Sequence, residues 1–548
     1  MLPITHQRLV GLFRGYFSFA VAAERRDSQA MSTDTLHSRL AYEPQPLMFG
    51  TSGRRGLVVD LTQLEIYINA LAELEYLLSL PTADGGISSG DVYYYACDLR
   101  PSSPQIAQAI ERAIRDAGLT PVNLGRIPTP ALTSYAIERG KGSMMVTGSH
   151  IPFERNGYKT NTSKGELLKT DEAPINERVA QVRLRIYYQS FDASPFNEQG
   201  LFKDAHQGLA PETNSARRAY IARYTDFFAD RSLRGKRLLV YQHSAVGCDM
   251  LVEILQKLGA EVVAAGRSET FVPIDTENID DAQLAAIQSL VDQAGKVDAV
   301  VSTDGDSDRP LILGVERGKA KFFGGDLVGM VVAEFLGADA VVVPVSCNDA
   351  IDRGSLKNVV EPKTRIGSPF VIAGMEQARE NGRKVVCGWE ANGGFLLGSD
   401  IERSGRTLRA LPTRDAVLPI LCVLFAAANK PLTDLFARLP KRYSKAALLK
   451  NFPRPVSQKI IETFTDASRL APFFPGFGPI TKLDLTDGVR IYFANGDVAH
   501  IRPSGNANEL RIYAVADTQK RADEIARLGV AEPYGILRKL ERAVESGG

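Results

Sequence analysis

From Phe49 onward the chain repeats one pattern, strand then turn then helix, and this alternation limits the architectures open to it more than any other feature. The stretch DVYYYAC (Asp91 to Cys97) is continuously apolar and β-rich, and SPQIAQAIERAIRDAG carries apolar residues at spacings of three and four. GSMMVTGSH then supplies a further strand and its turn. The alternation returns in KRLLVYQHSAVGCDMLVEILQKLGAEVVAAG and in GGDLVGMVVAEFLGADAVVVPVS. Short apolar strands separated by helices predict sheets covered on both faces, the α/β class. The last hundred residues differ. GVRIYFANGDVAHIRPSGNANELRIYAVAD alternates apolar and polar residues across Asn495-Gly496, which predicts an antiparallel hairpin. A long helix, from TQKRADEIARLGV to GILRKLERAVE, closes the chain.

At 548 residues the chain exceeds one core. The pattern divides it into an extension (1–45), three α/β domains with mixed sheets (46–205, 206–316 and 317–440) and a C-terminal α+β domain (441–548), arranged around an active-site cleft. An apolar fraction of 44% with 24% charged residues is that of a globular protein and excludes fibrous or disordered classes. A net charge of +1 gives no global attraction to nucleic acid or to an acidic membrane. Cys97, Cys248, Cys347, Cys387 and Cys422 are scattered, without metal-ligand spacing, as reduced core cysteines of a cytoplasmic protein would be. Near the N-terminus the apolar run is broken by Arg14 and followed by Arg25-Arg26, so it is too short to span a bilayer, and Met31 could serve as an alternative start.

Four polar, glycine-rich loops follow or interrupt apolar strands, the position at which open α/β sheets build their sites. In VVSTDGDSDRP, Asp304, Asp306 and Asp308 fall at alternate positions, and carboxylates so close repel unless a cation lies between them. Oxygen-only ligands favour Mg²⁺ or Ca²⁺. The downstream glutamate of a calcium loop is missing, and three carboxylates leave positions open for a phosphate. Arg309, immediately behind, suits a phosphate oxygen. In MMVTGSHIPFERNGYK, Ser149 ends a strand with His150 and Lys159 nearby, which fits either a nucleophile or a cap in a turn. In AHIRPSGNANELRIY, Arg502, Ser504, the amides around Gly505, and Arg511 would converge on one dianion. In VCGWEANGGFLLGSD, Glu390 and Asn392 suit sugar hydroxyls. A cation site, a hydroxyl nucleophile, a phosphate clamp and a hydroxyl-binding loop together describe phosphoryl transfer on a sugar.

The order of these loops resembles the α-D-phosphohexomutases, the phosphomannomutase and phosphoglucomutase family, from FGTSGRRG at Phe49 to the C-terminal helix. TGSHIPFERNGYK resembles the family's phosphoserine loop, DGDSDR its magnesium loop, GWEANGG its sugar loop and RPSGNANELRIY its phosphate loop. The resemblance implies that Ser149 carries phosphate and that Mg²⁺ bridges it to Asp304, Asp306 and Asp308. It places Arg55 near that phosphate, Arg309 at the close of the metal loop, and His150 and Lys159 at positions linked to proton transfer. Arg365, in KTRIGSP, falls in a substrate loop that usually carries lysine. Arg502, Ser504, Gly505, Asn506 and Arg511 would hold the distal phosphate, with Asn506 where threonine is common. Asn392 stands in place of a serine, Gly394 of a histidine, and Ile151 of an asparagine. The implied reaction interconverts hexose 6-phosphate and hexose 1-phosphate, of mannose or of glucose, through a hexose 1,6-bisphosphate. The hexose phosphate is the expected partner, with no nucleic acid and no membrane. A phosphoglucosamine mutase, a Mg²⁺-dependent sugar phosphatase and a non-catalytic sugar-phosphate sensor are the competing readings.

Overall fold

The computed structural model describes residues 34–204, 208–277, 279–504 and 508–546. Three of its sheets are built on one plan. In the first, Thr120–Arg126, Val92–Cys97 and Ser143–Val146 run parallel, and Arg155–Thr162 and then Arg54–Leu57 add antiparallel. In the second, Glu261–Arg267, Arg237–His243 and Ala299–Thr303 run parallel, followed antiparallel by Pro310–Glu316 and Lys319–Phe323. In the third, an isolated parallel bridge at Val360 flanks Ala340–Val342, which pairs in parallel with Val386–Trp389. Phe395–Leu397 and Leu411–Asp415 follow antiparallel. Each sheet therefore turns from parallel to antiparallel after its last parallel strand, which is Ser143–Val146 in the first, Ala299–Thr303 in the second and Val386–Trp389 in the third. The loop at that turn carries Ser149 in the first unit, the three aspartates in the second and Glu390 in the third.

Helices cover these sheets because their apolar residues fall on one face. In Ser103–Asp116, Pro104 sits in the first turn, and Ile106, Ala109, Ile110, Ala113 and Ile114 are buried. A continuous apolar core runs through all three units, from Met145 through Val240 and Val331 to Leu421. Residues 34–45 do not stand apart from the first unit. Leu36 is buried in its core, and the Leu36 amide donates to the Gln189 carbonyl. The second sheet continues past residue 316 to Phe323, because the turn at Arg317-Gly318 folds back as a hairpin.

The C-terminal unit is a five-stranded antiparallel sheet, with Tyr443–Lys450, Glu509–Ala516, Val498–Pro503, Val489–Phe493 and Ile480–Asp484 in that order. Its hairpin turns at Asn495-Gly496, where Gly496 has φ 87°. The closing helix is two helices, Gln519–Val530 and Ile536–Glu545, rather than one. Pro533 lies between them and supplies no N–H to continue the ladder. This unit has its own core, centred on Ile491, Ile512 and Leu537. Its junction with the third unit is polar: Arg442 binds Asp349 through Nε at 2.7 Å, Asp517 through a terminal nitrogen at 2.6 Å and the Gly496 carbonyl at 2.7 Å. All five cysteines are free and buried, and among the described residues no helix is long and apolar enough to cross a membrane.

Candidate active site

The Ser149 loop is shaped by a residue far from it in sequence. Arg100, buried, donates to the carbonyls of Ser149, Pro152 and Arg155 at 2.9 Å each and to that of Ile151, while its face lies 3.9 Å from the Phe271 ring. Gly148 is needed beneath it, since a Cβ there would stand 2.6 Å from the guanidinium. Held in this way, Ser149 adopts φ 54°, a left-handed conformation that costs an L-residue roughly 1 kcal/mol. Its amide donates to Thr147 Oγ1 at 2.7 Å, and its hydroxyl donates to Asp304 Oδ2 at 2.8 Å across the boundary between two units.

Asp304, Asp306 and Asp308 are fully buried, and each offers an oxygen within 4.8 Å of the others. Lys159 Nζ donates to Asp306 Oδ2 at 2.9 Å and Asp308 Oδ2 at 2.7 Å, and Thr129 Oγ1 donates to Asp306 Oδ2 at 2.7 Å. Asp306 Oδ1 and Asp308 Oδ1 are buried with no hydrogen-bond partner. Two orphaned carboxylate oxygens beside a third carboxylate fit a hard divalent cation. The charges agree. Burial, and then the charges of Asp306 and Asp308, push the Asp304 carboxyl well above the usual range. Burial acts the same way on its two neighbours but is outweighed, by Lys159 and Thr129 at Asp306 and first by Arg414 at Asp308, so both lie below the usual range.

Arg309 and His150 stack the next layer. An Arg309 terminal nitrogen donates to His150 Nδ1 at 2.9 Å, which assigns the imidazole proton to Nε2. Burial, reinforced by the Arg309 charge, takes His150 down to about 3, so it is neutral at physiological pH. Arg55 donates to the Arg54 and Tyr158 carbonyls at 2.8 and 3.2 Å, and burial brings its guanidinium down to about 10, which leaves it charged.

One cavity is lined by Ser149, His150, Arg55, Arg309, Glu390 and Asn392 together with Arg502, Ser504 and Arg511 of the C-terminal unit. Lys159 lies beneath it, committed to its two aspartates. Arg365 lies in an adjoining cleft, where its Nε donates to the Thr486 carbonyl at 3.1 Å; Arg502 and Ser504 line both spaces. Arg502 is aimed by Asp487 at 2.9 Å and Arg511 by Glu509 at 2.9 Å. Gly505 and Asn506 lie outside the described residues.

Three residues at the site are absent from the motif loops. Arg414 bonds Asp308 and Glu390, Arg100 clasps the serine loop, and Glu277 lines the cavity beside Asp275. Burial and the Asp275 charge raise Glu277 to about 7. Arg414 and Arg100 occupy a strand and a turn with no local signature. The only trace of Glu277 was a polar DTEN stretch after a strand.

Residues 46–185, 218–318 and 449–528 match the family description phosphoglucomutase/phosphomannomutase, as its alpha/beta/alpha domain I, alpha/beta/alpha domain II and C-terminal domain. A phosphomannomutase of Salmonella muenchen is 40% identical over 90% of this chain and 96% of its own. One of Sinorhizobium fredii is 38% identical over 88% and 98%. A crystal structure of a phosphoglucomutase/phosphomannomutase family protein from Burkholderia thailandensis superposes with a TM-score of 0.65 at 18% identity, covering 92% of this chain and 99% of that one.

Proposed function

The chain belongs to the α-D-phosphohexomutase family, and from that premise we propose that it interconverts hexose 6-phosphate and hexose 1-phosphate, with mannose as its sugar. One observation carries the proposal. The Ser149 hydroxyl lies 2.8 Å from a carboxylate of the buried aspartate cluster, in a cavity that is also lined by Arg502 and Arg511 of the C-terminal unit. A hydrolase needs the first half of that arrangement only; a mutase needs both, because its intermediate carries two phosphates.

In the proposed cycle, phosphorylated Ser149 transfers its phosphoryl group to the free hydroxyl of a hexose phosphate. The P–Oγ bond breaks, a P–O bond to the sugar forms, and the hydroxyl proton ends on Ser149. The bisphosphate turns end for end and returns its other phosphate to Ser149. Arg502 and Arg511 hold whichever phosphate is distal, a charge-assisted grip that places the near end for reaction. Arg55 and Arg309 face the transferring group, and His150 can donate from Nε2 without titrating. Asp304, Asp306 and Asp308 would hold Mg²⁺, which when bound stabilises charge on the transferring phosphoryl oxygens. Closure of the separately cored C-terminal unit over the cleft would exclude water that hydrolyses phosphoserine.

The test is a coupled assay with Mg²⁺ and hexose 1,6-bisphosphate on mannose 1-phosphate, glucose 1-phosphate and glucosamine 1-phosphate. Mannose 6-phosphate as the fastest product supports the proposal. Inorganic phosphate as the main product would replace it with a phosphatase.

A further inference from the structure

Four carbonyl oxygens of the serine loop converge on one side chain. Arg100 follows the strand Val92–Cys97 and is 1% exposed. One of its terminal nitrogens donates to the Pro152 and Arg155 carbonyls at 2.9 Å each, and the other donates to the Ser149 carbonyl at 2.9 Å and to that of Ile151. Oxygens brought so close repel unless a cation lies among them, and the planar fork of a guanidinium reaches all four where the single point of an ammonium does not. Asp98 completes the frame. It pairs with Arg100 Nε at 3.3 Å, and its Oδ2 accepts from the Gly148 amide at 3.3 Å. The loop is therefore gripped at an amide just before Ser149 and at four carbonyls from Ser149 onward.

The second unit covers the face of that guanidinium. Phe271 lies in the loop after Glu261–Arg267, with its ring centre 3.9 Å from the central carbon of Arg100. The same ring lies against the metal loop. A Cβ at Gly305 would stand 2.9 Å from Phe271 Cε2 and 2.8 Å from the Ser149 carbonyl oxygen. The loop that carries Phe271 is itself anchored: the Val272 amide donates to Ser244 Oγ at 2.7 Å, and the Ser268 amide donates to the His243 carbonyl at 2.9 Å. Arg100, Phe271, Gly305 and the Ser149 carbonyl thus pack together across the boundary between the two units. The residue whose carbonyl is held there also sends its hydroxyl to Asp304 at 2.8 Å, from a left-handed conformation of φ 54°. An L-residue keeps such a conformation only where its surroundings over-determine it.

We propose that Arg100 is a positioning residue for phosphoryl transfer and that Phe271 is the part of the second unit that seats it: together they fix the Ser149 backbone against the metal loop, so that Oγ is aimed at the aspartate cluster. This rests on the function proposed above. Neither side chain lines the cavity, so releasing the serine loop should slow the transfer step and leave sugar-phosphate binding in place.

The experiment measures kcat and KM for mannose 1-phosphate in the full chain, with Mg²⁺ and hexose 1,6-bisphosphate. Arg100→Lys is expected to lower kcat by about 100-fold and Phe271→Ala by about tenfold, with KM within about twofold of the unaltered value. In the double variant Phe271→Ala should add less than about a twofold loss to that of Arg100→Lys, because the ring acts through the guanidinium. Mn²⁺ affinity, read by electron paramagnetic resonance, should stay within about threefold in all three variants. Losses that multiply in the double variant overturn the inference, as does a KM or a Mn²⁺ affinity that worsens as much as kcat. If Arg100→Lys fails to fold, an unchanged kcat in Phe271→Ala overturns it. Hydrogen exchange over residues 147–155 supplies a readout without turnover: it should accelerate by at least about tenfold in both single variants, and unchanged protection overturns the inference. A chain that moves no phosphate, yet whose serine loop is released in these variants, would cost the functional proposal and leave the positioning roles of Arg100 and Phe271 standing.

Discussion

Ser149 and Asp304 stand 155 positions apart in the chain, yet the serine hydroxyl donates to the aspartate at 2.8 Å, with both side chains buried. The serine loop of one sheet and the acidic cluster of the next thus lie together, with a shared core running through both units.

Ser149→Ala should abolish mutase activity by at least about 1,000-fold, and with it the phosphate expected on the intact protein by mass spectrometry. Asp306→Asn should weaken Mn²⁺ binding, read by electron paramagnetic resonance, by about 100-fold while leaving the phosphorylated mass detectable. Persistent phosphate in Ser149→Ala would move the nucleophile elsewhere.

Lys159 is the cation in direct contact with Asp306 and shares Asp308 with Arg414, so its loss leaves Asp306 buried without a salt-bridge partner. Lys159→Met should destabilise the protein by about 3 kcal/mol, and added Mg²⁺ should restore more of the melting temperature in the variant than in the unaltered chain. Equal stabilisation by Mg²⁺ in both would mean that the cation lies away from these carboxylates.

His500 supplies a test of pH dependence outside the reacting groups. Burial, and next the charge of Arg490, lowers it to about 3, and one ring nitrogen bonds the Asp487 carbonyl at 2.6 Å. A histidine whose folded value is depressed contributes stability that is complete above its unfolded value, near 6.5, and is lost as pH falls toward the folded value. Unfolding free energies at pH 7.5 and 5.5 should therefore differ by about 1.4 kcal/mol less in His500→Gln than in the unaltered protein.

Glu277 titrates near 7 in the cavity, raised by burial and by Asp275, with Asp326 adding to the rise and Arg511 and Arg309 opposing it. Above that pH it adds a negative charge facing the phosphate-binding arginines. KM for the hexose phosphate should rise between pH 6 and 8, and Glu277→Gln should flatten that rise and lower KM several-fold at pH 8. A variant whose KM keeps its pH dependence would assign the change to the substrate's own ionisation.

Arg442 joins the two separately cored parts of the molecule through Asp349 and Asp517. Arg442→Ala should lower stability by about 3 kcal/mol and raise KM more than it lowers kcat, because the phosphate clamp belongs to the unit that Arg442 holds. Hydrogen exchange over Tyr443–Lys450 should accelerate.

The motif loops were legible because each is contiguous and its chemistry is local: three aspartates at alternate positions announce a cation wherever the strand leads. The residues that position them were not. Arg414 reads as one basic residue in a short strand, and its meaning appears only when Asp308, 106 positions earlier, is brought to it. Arg100 likewise gains its role from carbonyls about 50 positions away, on a loop whose own letters do not mention it. The closing helix was misread as continuous because its amphipathic spacing persists on both sides of Pro533. Residues 34–45 read as part of an extension because their contacts with the core, Leu36 buried and Leu40 packed against it, lie in a stretch too short to show a periodic pattern.

The shared plan of the three α/β sheets, each with its polar loop where parallel pairing gives way to antiparallel, has a consequence for synthesis on the ribosome. The Ser149 loop, proposed as the phosphate carrier, emerges first, the acidic cluster second, the Glu390 loop third and the Arg502–Arg511 pair last. No nascent chain short of the last unit holds a complete set, so a partly made protein has the means to hold a phosphate but not the means to grip a sugar bisphosphate. On the proposed roles, translation order would keep the chemistry silent until the final sheet has formed.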